Sequence, residues 1–275
     1  MDPELRNFLY RNPQYYEVVY PEPNEETPWM CRRLFSRYLP AAPASILDLG
    51  CGTGRDLAAL SRDGAECWGV DYLAEMVAYA RAARPSLDLW QGDMRSVRLA
   101  RTFDAILCLG SAFMYALSNQ DVSATLGTFA AHAHAGTLLI LDLNNAAGYL
   151  GGGSFRETIE TVIDAGDFRA RAVARNDFDR RRQWLVRRRT WVIAGQPPVE
   201  DFCRYRLFLP AELEYVLAEK GFSVAGMFDN KELRETDLSG PRLYVAAVYE
   251  RPSPSVDQVS SLPSLPESPA GLCLP

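Results

Sequence analysis

At residues 45–54 the chain reads Ser-Ile-Leu-Asp-Leu-Gly-Cys-Gly-Thr-Gly, a short apolar run that ends on glycines at 50, 52 and 54. This segment constrains the fold more than any other. Glycine at a strand end lets the backbone turn sharply and come close to a ligand, at the crevice beyond the strand ends of an open α/β sheet. A dinucleotide fingerprint spaces its glycines G-x-G-x-x-G, with a pyrophosphate resting on the helix N-terminus. Here the spacing is G-x-G-x-G and position 55 is Arg55, a pattern that suits a ligand without phosphates.

The segments that follow keep the same rhythm. Strands are predicted at 45–49, 66–71, 86–91, 103–109 and 136–143, and helices at 54–63, 73–83 and 121–134. Alternation of this kind argues for a parallel sheet with helices on both faces, here over residues 38–150. Residues 151–209 break the rhythm. Four segments rich in Val, Ile, Thr, Trp, Phe and Arg are separated by turn-like Asp-Ala-Gly-Asp, Asp-Arg-Arg-Arg and Ala-Gly-Gln-Pro-Pro, which reads as an antiparallel β insertion. A helix at 210–220 has proline at its start and Gly221 past its end. Strands at 222–230 and 242–250 complete the core within 210–250. Residues 1–37 are aromatic and polar, with a helix-like stretch around 24–38, and read as an N-terminal cover. Residues 251–275 are Pro/Ser-rich and read as a disordered tail.

Composition excludes several classes. The net charge of −6 on 275 residues argues against a general nucleic-acid binder. No apolar run approaches the roughly 18 residues of a membrane span, and the first eleven residues lack the apolar region of a signal peptide. Six cysteines lie without CxxC or metal-ligand spacing, which fits free thiols in a reducing, cytoplasmic setting. The only histidines, His132 and His134, sit together, so neither a serine triad nor a three-histidine zinc site is expected, and no metal is expected.

The other strand ends carry polar groups at matching places. The second ends in Gly69-Val70-Asp71, an acid where two ribose hydroxyls would arrive. The third ends in Gln91-Gly92-Asp93-Met94, a second acid placed to accept from an exocyclic amine, and the fourth in Cys108-Leu109-Gly110-Ser111. Taken singly, Asp71 could be a helix cap and Asp93 a turn carboxylate. Together the four strand ends resemble the class I S-adenosylmethionine-dependent methyltransferases, over roughly residues 10–250. The resemblance implies a Rossmann-like seven-stranded sheet whose last strand is antiparallel. It implies that Gly50, Cys51 and Gly52 line the methionine part of S-adenosylmethionine and that Asp71 holds the ribose. Tyr72 and Met76 would lie near the adenine, which Asp93 and the Met94 backbone would read, with Leu109 and Tyr20 completing the cofactor site.

A closer resemblance follows from Tyr16-Glu17-Val18-Val19-Tyr20 before the core and from the insertion closed by Cys203-Arg204-Tyr205-Arg206-Leu207-Phe208. The first is similar to the Tyr-Asp-x-x-Tyr element of small-molecule N-methyltransferases of antibiotic pathways. Among these are the N,N-dimethyltransferases of macrolide amino sugars and the lincosamide N-methyltransferases. Position 17 is Glu where Asp is usual, and Tyr115 stands where some members carry a histidine after the fourth strand.

Chemistry narrows the acceptor. A methyl on a sulfonium is already activated, so positioning is the main requirement, with up to about 7–11 kcal/mol available from near-attack geometry. Tyr16, Phe113 and Tyr115 are the catalytic candidates, with core packing the alternative for the last two. A neutral amine needs no strong base, whereas a hydroxyl needs one or a metal. Tyr16 and Tyr20, four residues apart, put both rings on one helix face, either over the cofactor or as a hydrophobic anchor. His132 and His134 read as capping and dipole complements at a helix C-terminus. The arginine run from Arg169 to Arg189 reads either as a solvated face or as a clamp for an anionic substrate, with Arg204 and Arg206 on the closing strand as further substrate-binding candidates.

The expectation is a homo-oligomeric enzyme that methylates an amine of a small secondary metabolite, an amino sugar fitting well. O-methylation of a small molecule is the alternative enzyme, and non-catalytic cofactor binding in a regulatory or scaffold role is the alternative of another class.

Overall fold

A computed structural model of the chain describes residues 7–20, 25–150, 155–165 and 168–250. The tail expected at 251–275 lies outside the described residues. The chain opens with α1 (Phe8–Arg11), α2 (Pro13–Val19) and α3 (Glu26–Tyr38). It continues through β1 (Ser45–Leu49), α4 (Arg55–Ser61), β2 (Glu66–Asp71), α5 (Ala74–Ala83), β3 (Asp88–Gln91) and β4 (Phe103–Cys108). A 3-10 turn (Ala112–Tyr115) leads to α6 (Asn119–Ala131), β5 (Ala133–Asn144) and α7 (Ala146–Leu150). Next come β6 (Thr158–Ala165), β7 (Phe168–Asp179), β8 (Trp184–Ile193) and β9 (Val199–Arg206), then α8 (Pro210–Ala218), β10 (Phe222–Phe228) and β11 (Arg242–Tyr249).

Seven strands form one sheet in the order β10-β11-β5-β4-β1-β2-β3, and β11 runs antiparallel to both of its neighbours. The near-continuous apolar runs of β1, β4 and β5 have this outcome because a parallel sheet is covered on both faces. Side chains alternate along each strand and so split between two cores. Leu47, Leu49, Ile106, Cys108, Leu139 and Leu141 face α6 and α8 and meet Leu126, Phe129 and Leu213. Ile46, Ala105, Leu107, Leu138 and Ile140 face the other way, onto Met30 and Leu34 of α3 and Leu57 and Leu60 of α4. Each such fully buried Leu or Ile contributes about 1.5–3 kcal/mol.

The expected insertion is a separate four-stranded antiparallel sheet, β6-β7-β8-β9. Its inner face packs on the cover: Phe168, Ala170, Ala172, Trp191 and Ile193 enclose Phe8 and Leu9 of α1. The chain returns to the core where Phe208 bridges Asn145 beside α7.

Two boundaries differ from the sequence reading for local reasons. The sixth helix begins at Asn119 because Ser118 and Asp121 form a capping box there, and it stops at Ala131 with His132 as its C-cap. The third strand pairs with β2 only from Asp88 onward.

Candidate active site

β1 is flanked by β2 on one side and β4 on the other, so the strand order reverses there and a crevice opens above its end. The glycine loop lies in that crevice. Gly50 and Cys51 N–H groups donate to the Val70 carbonyl (2.7 and 3.1 Å), which folds the loop over the end of β2. Gly50 has φ +91°, and a side chain there would collide with Ala112. At Gly52, by contrast, a Cβ would meet nothing within 4 Å, so its far side is open cavity.

Asp71 ties two elements together. Its Oδ2 accepts from Gly52 N–H at 2.8 Å and its Oδ1 from Leu73 N–H at 2.9 Å, the second bond turning the chain into α5. Burial raises its carboxyl above the usual range, against the lowering effect of these backbone donors. Asp48, at the end of β1, is 3% exposed and its Oδ1 is buried without a hydrogen-bond partner. Burial pushes its carboxyl well up, and the charges of Asp56 and Asp71 push the same way.

One cavity runs from the glycine loop to the turn after β4. Of the cofactor candidates, Gly50, Cys51, Gly52, Asp71, Tyr72, Met76, Met94 and Leu109 line it, and of the catalytic candidates Tyr16 and Tyr115 do. The turn that carries Tyr115 is held from below by Asp142 of β5. Its Oδ2 accepts from Gly110 N–H at 3.1 Å, while its Oδ1 accepts from Arg242, which also donates to Ser111 Oγ at 3.0 Å. Tyr115 is 7% exposed and its hydroxyl has no hydrogen-bond partner of acceptable geometry. Its ring packs on Tyr205 at 5.2 Å and Tyr10 at 6.3 Å. Burial pushes the Tyr115 phenol well above its ordinary value, so it stays neutral.

Other sequence candidates lie elsewhere. Phe113 is fully buried, stacked on Phe208 at 5.1 Å and beside Phe129 at 6.0 Å, so it is a core residue and leaves the catalytic list. Asp93 is not part of the cavity wall. It borders a shallow neighbouring depression with Tyr72, Gln91 and Arg11, and its carboxylate takes Arg95 Nε and Nη2 at 3.0 and 2.7 Å. Burial pushes its carboxyl up, but the Arg95 bonds outweigh this and hold it low. Tyr20 is 47% exposed and packs on Tyr16 at 4.9 Å, outside the cavity wall.

Neither Arg204 nor Arg206 lines the cavity. Arg206 is buried against Glu212 at 2.7 Å and over the Phe208 ring, and Arg204 lies over Trp184 and Phe202, so neither is placed as a clamp. The run behind them is split by the strand alternation. Arg169 and Arg171 face outward to Asp164 and Glu160, whereas Arg187 and Arg189 turn in toward Asn176 and Asp201.

His132 caps α6 as a neutral ring. Its Nε2 accepts from Leu99 N–H at 2.9 Å, so Nδ1 carries the proton and donates to the Thr128 carbonyl at 2.8 Å, and burial lowers its pKa. The capping reading therefore holds for His132, without the charge that dipole complementarity needs, and not for His134, which lies on β5 and reaches Asp104 Oδ1 at 3.1 Å.

Sequence reasoning missed Tyr10, Asp48, Thr53, Asp56 and Ala112 on the cavity wall, and noted Arg55 only as a break in a fingerprint. Asp48 and Arg55 flank the glycines directly, and that adjacency was the available signal. Tyr10 comes from a helix distant in sequence and left none.

Comparison with known proteins agrees with this geometry. The profile of a family described as "Methyltransferase domain" matches residues 46–136. A dTDP-3-amino-3,6-dideoxy-alpha-D-glucopyranose N,N-dimethyltransferase of Streptomyces fradiae is 38% identical over 99 residues, 36% of this chain and 38% of that protein. A dTDP-3-amino-3,4,6-trideoxy-alpha-D-glucopyranose N,N-dimethyltransferase of Streptomyces venezuelae is 31% identical over 99 residues, 36% of this chain and 42% of that protein. The matched segments thus span about two fifths of these relatives. Among solved structures, an S-adenosylmethionine-dependent methyltransferase from Clostridium acetobutylicum superposes with a TM-score of 0.73 at 16% identity, covering 88% of this chain and 99% of that one. Residues 46–136 thus match the methyltransferase-domain family, and the chain as a whole shares the fold of solved class I S-adenosylmethionine-dependent methyltransferases.

Proposed function

We propose that the protein is an S-adenosylmethionine-dependent methyltransferase that methylates an amine nitrogen of a small secondary metabolite, an amino sugar of an antibiotic pathway being the acceptor class favoured. The observation that carries this reading is one cavity lined by the glycine loop and Asp71 together with Tyr16 and Tyr115.

The lining fits the cofactor chemically. Asp71 offers a carboxylate for ribose hydroxyls, and Met76, Met94 and Leu109 offer apolar surface for a flat heterocycle. The open space at Gly52 and the unpartnered Asp48 Oδ1 suit the amino-acid end. When bound, S-adenosylmethionine supplies a methyl that is electrophilic because it sits on a sulfonium.

The tyrosines of the wall then have three tasks. Tyr10, Tyr16 and Tyr115 exclude water and present aromatic rings, each worth about 0.5–2 kcal/mol beside a desolvated cation. The neutral Tyr115 hydroxyl can accept a hydrogen bond from an amine N–H and aim its lone pair. A phenol held above its ordinary pKa is a poor base for a hydroxyl acceptor, and this favours nitrogen over oxygen.

The N,N-dimethyltransferase relatives act on dTDP-linked amino sugars by name, and that supports the same acceptor class here. The cysteines among the described residues, Cys31, Cys51, Cys67, Cys108 and Cys203, are free thiols, which supports work in the cytoplasm. The test is incubation with S-adenosylmethionine and a panel of amino sugars, amino-acid-derived amines and matched hydroxyl analogues, read by mass. A gain of one or two methyls on amines alone is the expected result. Methylation of hydroxyl analogues alone would replace the nitrogen reading with the oxygen one.

A further inference from the structure

The cavity is uneven in charge. Asp48, Asp56 and Asp71 line it, and among the described lining residues Arg55 is the one cation. Arg55 follows the last glycine of the loop and opens α4. Its guanidinium is turned toward the cover. Nη1 donates to the Tyr20 carbonyl, Nη2 reaches the Tyr16 hydroxyl at 3.5 Å, and the group lies over both rings, 5.1 Å from the Tyr16 centroid and 5.6 Å from that of Tyr20.

A second arginine ties the same helix down in a different way. Arg84 donates to the Thr53 carbonyl at 2.9 Å and pairs with Glu17 Oε2 at 3.1 Å, with side chains only 11% and 15% exposed. Arg84 therefore already has its carboxylate. The contacts of Arg55 are a carbonyl, a phenol and two aromatic faces. A guanidinium carries five N–H donors, and two are used here, so a planar anion at the cavity wall would find donors in a fork that matches it.

We propose that Arg55 receives the carboxylate at the amino-acid end of the cofactor and, through its contact with Tyr16, sets the acceptor end of the site when that carboxylate is in place. The proposal rests on the reading of the cavity as an S-adenosylmethionine site. The cofactor has one carboxylate among cationic groups, and the wall has one arginine among carboxylates. A guanidinium fixed in its plane by a bidentate partner holds the aromatic ring beside it, so an occupied site has an ordered Tyr16. Arg55 is in this sense a positioning residue for the acceptor and a binding residue for the cofactor.

The test compares two ligands that differ in the amino-acid end. S-adenosylhomocysteine carries the carboxylate, and 5′-methylthioadenosine lacks it together with the rest of that end. Calorimetry on wild type, Arg55→Met and Arg55→Lys should show that Met weakens S-adenosylhomocysteine by roughly ten- to thirtyfold while leaving 5′-methylthioadenosine within about twofold, and that Lys restores part of the loss. Hydrogen exchange gives a readout separate from affinity. S-adenosylhomocysteine should protect the amides of residues 16–20 in wild type, 5′-methylthioadenosine should not, and in Arg55→Met the two should be alike. Circular dichroism checks folding, and if the Met variant fails to fold, Arg55→Gln takes its place in the comparison.

Equal loss of both ligands, or S-adenosylhomocysteine affinity unchanged in a folded variant, would overturn the assignment of Arg55 while the cofactor reading stands. Failure of wild type to bind either ligand would remove the cofactor reading and this proposal with it.

Discussion

The carboxylate of Asp71 holds two backbone N–H groups, from Gly52 and Leu73, at a strand end that also faces a cavity. The helix-entry role and the proposed ligand role thus fall to one side chain. Asp71→Ala should weaken S-adenosylmethionine binding by about 1.5–3 kcal/mol in calorimetry, the value of a charge-assisted hydrogen bond. The sign of the pH effect follows from burial. The folded carboxyl is raised, so it gains its proton at a higher pH than an exposed aspartate does, and cofactor affinity should fall as pH drops through that point. Asp48 shifts in the same direction, so Asp71→Asn should shorten this acid limb and not abolish it. Tyr115 is a separate test of chemistry. Tyr115→Phe keeps the ring and removes only a buried hydroxyl, and should lower kcat several-fold with Tm unchanged. Because the wild-type phenol stays neutral, the loss should persist at high pH, where the acceptor is already deprotonated. Full activity in the Phe variant at every pH would leave proximity alone as the mechanism.

At the scale of elements, the cover depends on the insertion. Asp201 of β9 is 2% exposed, and its Oδ2 accepts from Phe8 N–H at 3.0 Å and from Trp191 Nε1 at 2.9 Å, with Arg189 Nε at 3.7 Å. One carboxylate therefore joins the start of α1 to two strands, and α1 is the element that brings Tyr10 to the cavity. Removing it leaves a nearly buried guanidinium without its partner and two donors unmet. Asp201→Ala should cost about 3–5 kcal/mol and lower Tm by several degrees. A larger share of the kinetic loss should appear at the acceptor than at the cofactor, because α1 reaches the Tyr115 end. A Tm equal to wild type would show that α1 docks by hydrophobic contact alone. The outward ion pairs Arg169–Asp164 and Arg171–Glu160 are solvent-exposed and screened, so breaking either should leave Tm essentially unchanged.

At the scale of the whole molecule, the doubly wound sheet sets the crevice, and the insertion backs its wall where Tyr205 packs on Tyr115. The last described strand, β11, lies between β5 and β10 with Val245, Ala246 and Ala247 fully buried. That strand completes both cores. Truncation after Glu250 removes a Pro/Ser-rich segment with no periodic apolar face, and should leave Tm and turnover unchanged. A melting point lowered by several degrees would show that residues 251–275 add to the packing.

The α/β class, the strand order's glycine loop and the antiparallel insertion were legible in the sequence, because each follows from local patterning: aliphatic runs, alternate glycines, turn residues between β-branched stretches. The same locality located Gly50, Gly52 and Asp71, which stand at strand ends in register. It failed where a role depends on which way a side chain points. Phe113 and Tyr115 are two residues apart in one short turn, yet one stacks into the core on Phe208 and the other lines the cavity. Arg187 and Arg204 are both on the insertion, but strand alternation puts them on opposite faces. Asp93 was placed correctly at the end of β3, and only the fold brought Arg95, anchored by Asp121 of α6, onto its carboxylate. Pattern along the chain decides which elements form. Contacts between residues far apart in sequence decide which surface each side chain meets, and only the tertiary structure contains them.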